Sequence, residues 1–107
     1  MILSIMNKNK ILNLLGLANK AGKIISGDEK VTKSLKDIFL VFVASDVSLR
    51  TKDKYEKKCF YYNVRCDFSF TSNELEKALG KSRKIIGISD KGFALAFEKL
   101  RGEMDES

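Results

Sequence analysis

Helical and strand-like patterns alternate along the whole of this 107-residue chain, which predicts an α/β fold: a three-layer α/β/α sandwich around a central, mixed four-stranded sheet. Two observations carry that expectation. Ile38-Phe39-Leu40-Val41-Phe42-Val43-Ala44 is an unbroken apolar run, rich in branched and aromatic residues, as expected of a strand covered by helices on both faces. The segments around it open and close with recognisable helix punctuation and contain no proline. At 44% hydrophobic the chain can bury a real core without disulfide or metal support. Its length fits one domain, residues 1–102, followed by a short acidic tail at 103–107 that is expected to be disordered.

The elements follow in order. Asn7 is expected to cap a helix over residues 8–20, with Ile11, Leu14, Leu15 and Ala18 as its core stripe and Leu12 and Leu17 widening it. Gly22 ends it. Ile24 and Ile25 make a short edge strand, and a second helix over 27–36 buries Val31 and Leu35. The apolar run forms the second strand. Ser48 caps a third helix over 49–62, whose Tyr55, Cys59 and Tyr62 share one face, and Asn63 stops it in the left-handed conformation. Residues 64–70 form the third strand, with Phe68 and Phe70 on one side by the alternation of side chains. Thr71 and Glu74 make a capping box for a fourth helix, ended by Gly80. Residues 85–89 form the fourth strand. Asp90 caps a last helix that buries Phe93, Phe97 and Leu100 and stops at Gly102.

Charge narrows the function classes. The net charge is +6, and residues 101–107 hold three acids and one base, so the body is more basic than the total suggests. A basic body implies a polyanionic partner. The chain has no histidine, which removes the commonest general base and metal ligand, and no nucleophile-elbow, phosphate-loop or metalloprotease pattern. Cys59 and Cys66 lack metal or redox spacing, and Cys59 falls on a core face. These features predict a protein that is not an enzyme, without metal or cofactor. No apolar run reaches membrane-span length and no signal peptide is evident, so a cytoplasmic monomer is expected, starting at Met1 or Met6.

Two stretches concentrate the binding chemistry. Ser26 and Glu29 fit a capping box at the start of the second helix, Gly27 admits a partner closely, and Lys23, Lys30 and Lys33 surround a helix start able to seat a phosphate. The loop at 80–84 adds Lys81, Ser82, Arg83 and Lys84. If the two meet, phosphate contacts can hold RNA while polar side chains read base edges, with Arg83 suited to a planar contact.

Across residues 11–100 the chain resembles the kink-turn RNA-binding ribosomal proteins of the L-seven-Ae type, and most of all their small bacterial YlxQ-like branch. The resemblance is carried by Leu15-Gly16-Leu17-Ala18 with Ala21-Gly22-Lys23, Ser26-Gly27, Val31-Thr32-Lys33, Val43-Ala44-Ser45-Asp46, Leu79-Gly80-Lys81-Ser82-Arg83 and Ser89-Asp90-Lys91-Gly92-Phe93-Ala94. It implies the sandwich fold, no catalysis, and structured RNA as partner, ribosomal or otherwise kink-turn-like. It also places Gly27, Lys33 and residues 80–83 on the RNA, and together with the charge and capping pattern the expected RNA-binding surface comprises Lys23, Ser26, Gly27, Asp28, Glu29, Lys30, Lys33 and residues 80–84. A protein-interaction module on the same fold is the alternative. Three positions depart from the family pattern. Glu29-Lys30 stand where kink-turn readers usually place Asn-Glu, the 81–83 loop is polar, and Glu76 replaces a frequent glycine.

Overall fold

The apolar run at 38–44 lies in the middle of a four-stranded sheet in a computed structural model that describes the backbone of residues 2–106 and the side chains of 7–102. The chain forms α1 (Ile2–Lys20), β1 (Ile24–Ser26), α2 (Asp28–Lys33), a 3-10 turn (Leu35–Asp37), β2 (Leu40–Val43), α3 (Leu49–Tyr62), β3 (Arg65–Asp67), α4 (Ser72–Leu79), β4 (Ile85–Ile88) and α5 (Lys91–Glu106). Strand order is β1-β4-β2-β3; β4 is antiparallel to both neighbours, and β2 and β3 are parallel, so the sheet is mixed. The short β1 lies at an edge, as its length suggested.

Alternation along β2 and β4 divides the core between two faces. Leu40, Phe42, Ile86 and Ile88 pack with Ile11 and Leu15 of α1, Leu75 and Leu79 of α4, and Phe97 of α5. Phe42 meets Phe97 edge-on at 5.2 Å. Val41, Val43 and Ile85 face the other way, onto Val31, Leu35, Tyr55 and Cys59. The punctuation largely holds. Ser48 Oγ accepts the Thr51 N–H, Thr71 and Glu74 form the reciprocal capping box, Asp90 accepts the Phe93 N–H, and Asn63 and Gly80 close α3 and α4 with positive φ.

Several expectations are corrected. Asn7 caps nothing: α1 begins at Ile2, and Asn7 is a buried residue within it. Leu17 is 58% exposed because it projects away from the Ile11–Leu15–Ala18 stripe. The second helix is shorter than 27–36. It ends at Lys33, and Ser34 starts a tighter turn that still buries Leu35. Tyr62 is exposed, unlike Tyr55 and Cys59. The third strand ends at Asp67, whose Oδ1 accepts the Ser69 N–H at 2.7 Å. That bend breaks the alternation, so Phe68 packs on the Tyr55 side and Phe70 on the Phe42 side. Gly102 does not stop the last helix, which continues to Glu106 in place of the expected break. Residues 103–106, expected in a disordered tail, continue the backbone of that helix, while Met1, one of the two expected starts, and Ser107 lie outside the described residues.

Candidate nucleic-acid interface

Four connections converge at one end of the sheet. Pairing of Ser26 with Ile86 and of Val43 with Ile85 puts the end of β1, the end of β2 and the start of β4 side by side. The Gly27 N–H donates to the Ile85 carbonyl, the Ala44 N–H to that of Lys84, and the Ser45 N–H to that of Phe70. The strand–helix turn at Gly27 and the 80–84 loop therefore meet. Arg83 ties them directly, donating from Nε to Ser26 Oγ at 3.2 Å and from Nη1 to the Ser82 carbonyl at 3.0 Å. Between them lies an open cleft of about 450 Å³, lined by Gly27, Asp28, Ser82, Arg83 and Lys84 together with Asp46, Val47, Ser48 and Thr51.

The helix start differs from the expected capping box. Gly27 is the N-cap, with φ 102 and ψ 144, and no side chain caps α2. Ser26 belongs to β1, so its hydroxyl turns to Arg83. Glu29 reaches forward one turn to Lys33 at 2.8 Å, not back to residue 26. With only six residues, α2 has a short dipole, so anion attraction rests on its uncapped N–H groups and on the neighbouring cations. Gly27 is held in a region that side-chain-bearing residues avoid, yet an added Cβ would meet nothing within 4 Å. Gly27→Ala should therefore cost backbone strain alone, about 1–3 kcal/mol of stability, read from urea unfolding.

The expected residues do not all join the cleft. Lys23 lies at the opposite end of β1, where its carbonyl accepts the Ser89 N–H and hydroxyl. Sequence order could not show this, because three residues of strand separate the two ends by roughly 10 Å. Asp28 points to α3. Its carboxylate accepts from the Tyr55 hydroxyl and from Lys54 Nζ at 2.9 Å. These two bonds, the Tyr55 bond foremost, hold Asp28 below the usual carboxylate range, so it remains an anion tied to α3. Lys30, Lys81, Arg83 and Lys84 are exposed and have no ion pair among the described residues. Lys33 is exposed but shared with Glu29.

Asp46, Ser48 and Thr51 are cleft residues that sequence reasoning did not name as such. Asp46 accepts the Ser72 N–H at 2.8 Å and its hydroxyl at 2.6 Å, which lowers its pKa and fixes α4 beside the cleft. The one available signal was the cap at Ser48, which places the start of α3 after the β2 terminus. The thiols stand apart. Both cysteines are free thiols; hydrogen bonding with the buried Cys59, followed by burial, pushes the Cys66 thiol above its ordinary range, the reverse of an activated nucleophile. Among the described residues no group of three or more His, Cys, Asp or Glu could hold a metal, and no helix is long and apolar enough to cross a membrane.

Comparisons with known proteins show the family and the fold. The profile of the ribosomal protein L7Ae/L30e/S12e/Gadd45 family matches residues 9–95. The chain is 42% identical over 96 residues to an Enterococcus faecium protein described as RNA-binding protein YlxQ, covering 88% of this chain and 93% of that one. It is 37% identical over 84 residues to the Bacillus subtilis (strain 168) protein of the same description, covering 76% and 84%. A solved structure of a Bacillus halodurans protein of unknown function superposes with a TM-score of 0.80 at 35% identity, covering 90% of this chain and 97% of that one. A Giardia lamblia 15.5kD RNA binding protein superposes with a TM-score of 0.77 over 94% of this chain and 89% of its own; at 17% identity it shows the shared fold alone.

Proposed function

Because the chain belongs to the ribosomal protein L7Ae/L30e/S12e/Gadd45 family, we propose that it is a non-catalytic, cytoplasmic RNA-binding protein of the translation machinery, which holds structured RNA in the cleft between Gly27 and the 80–84 loop. The observation that carries this reading is the Arg83–Ser26 hydrogen bond, which joins the two stretches into one surface. Lys30, Lys81, Arg83 and Lys84 supply phosphate contacts, and the uncapped α2 terminus supplies backbone donors. Arg83 Nε is held by Ser26, which leaves the outer guanidinium nitrogens, one of them also bonded to Ser82, to face a ligand.

The reading includes a limit on specificity. Sheared G·A pairs in a kink-turn expose donors and acceptors that an asparagine amide can match, whereas a carboxylate only accepts. Glu29 is in addition held by Lys33 on an exposed surface. The protein is therefore expected to bind structured RNA over single strands while discriminating poorly between a kink-turn and its G·A-disrupted counterpart. Replacing Glu29 by Asn and Lys30 by Glu should add about 1–3 kcal/mol of discrimination, by analogy with a good base contact. Paired binding isotherms at one salt concentration test this. A strong preference of the unaltered protein for the intact kink-turn would show that Glu29 and Lys30 read bases.

A further inference from the structure

The far end of α3 carries an unusual cost. Phe60 is 88% exposed, Tyr61 80% and Tyr62 44%, three consecutive aromatic residues with the Tyr61 and Tyr62 rings 5.0 Å apart. Stability does not require them, since Tyr55 and Cys59 already supply the buried face of the helix. Lys57 and Lys58 precede Phe60 and Tyr61 by three residues, and residues three apart are neighbours on a helix surface. Tyr61 thus has Lys58 one turn behind it, while Lys57, one turn behind Phe60, is turned to Asp53. A ring for a base and a cation for the adjoining phosphate is the pairing that single-stranded nucleic acid uses.

The same helix connects this end to the cleft. Thr51 lines the cleft, and Lys54, Lys58 and Tyr61 follow it at three-, four- and three-residue steps along one side of α3. Lys54 is held by Asp28, and Lys57 by Asp53 at 3.0 Å. Lys58 has no ion pair among the described residues. Phe60 also walls, with Phe39 and Leu95, an open groove of about 710 Å³. We propose that α3 is a track for single-stranded RNA leaving the structured element in the cleft, with Tyr61 at the end of that side and Phe60 on the adjoining side of the helix as its base-stacking rings, and Lys58 as its phosphate contact. Lys58, the cation beside Tyr61, favours this occupant over an apolar protein surface, which would bury its charge unpaired. The proposal rests on the reading of the cleft given above.

The test compares four RNAs against the unaltered chain, Lys58→Gln and the double variant Phe60→Ala with Tyr61→Ala. The RNAs are a blunt kink-turn stem, the same stem extended at each end in turn by an oligouridine flank of about ten nucleotides, and the free oligouridine. A flank should tighten binding by the unaltered chain between about fivefold and a hundredfold. The double variant should lose that gain and keep the blunt-stem affinity, because both side chains are exposed. Lys58→Gln should lose part of the gain. Equal affinities for blunt and flanked stems, or a gain that survives in the double variant, would overturn the proposal and leave the aromatic end to a protein partner. Failure of the unaltered chain to bind any stem would instead fail the reading of the cleft. In that event, weaker oligouridine binding by the double variant still supports the platform, and unchanged binding removes it.

Discussion

Arg101→Ala should destabilise the fold by about 3–5 kcal/mol, the range found when one member of a buried ion pair is removed. Asp67 is 2% exposed, and its carboxylate sits under the last turns of α5. Arg101 Nη1 donates to Asp67 Oδ2 at 2.6 Å, while the Ser69 N–H serves the other oxygen at 2.7 Å. Truncating the guanidinium leaves a carboxylate out of water with one donor. Asp67→Ala should cost less, because Arg101 is partly exposed and its head can return to solvent. Urea unfolding of both variants tests the asymmetry. A loss under about 1 kcal/mol for Arg101→Ala would mean that water reaches Asp67 and that the pair does not hold α5 to β3.

Affinity for structured RNA should fall by about 50–150-fold between 50 and 200 mM salt. The figure comes from counterion release at roughly four phosphate contacts, which gives a logarithmic slope of about −2.8 to −3.6. The four are Lys30, Lys81, Arg83 and Lys84. Lys23 is left out because it lies at the other end of β1, and Lys33 because Glu29 already neutralises it. Replacing Lys30, Arg83 and Lys84 together by Gln should reduce the slope to about −1 and weaken binding to all structured RNAs alike. A slope unchanged by the triple replacement would place the phosphates elsewhere on the protein.

Local chemistry was legible in the sequence. Ser48, Asn63, the Thr71–Glu74 box and Gly80 act within a few residues of themselves, and each does in the structure what its type suggests. The apolar run named β2 because burial on both faces leaves no room for a polar residue. Misreadings occurred where a distant partner outbid a local one. Ser26 had a plausible local partner in Glu29, but β1 pairing turns its hydroxyl to Arg83, 57 residues away, and Lys33 takes Glu29. Phe68 and Phe70 part because one Asx turn interrupts the strand. The Asp67–Arg101 pair joins residues 34 apart, and nothing beside either residue announces the other. The candidate site was legible as two basic, glycine-bearing stretches. That they touch, and that Asp46, Ser48 and Thr51 complete the cleft while Lys23 leaves it, depends on strand order.

The most direct test of RNA binding in the cleft is a titration of the isotopically labelled protein with a structured stem lacking single-stranded flanks, followed by backbone amide chemical shifts. Shifts should cluster at residues 26–30, 46–51 and 80–84, with Lys23 and the α1–α5 surface around Leu14, Leu17 and Leu100 silent. Shifts centred on that α1–α5 surface, with the amides of Gly27 and Arg83 unmoved at saturation, would contradict the assignment of the cleft as the RNA-binding site.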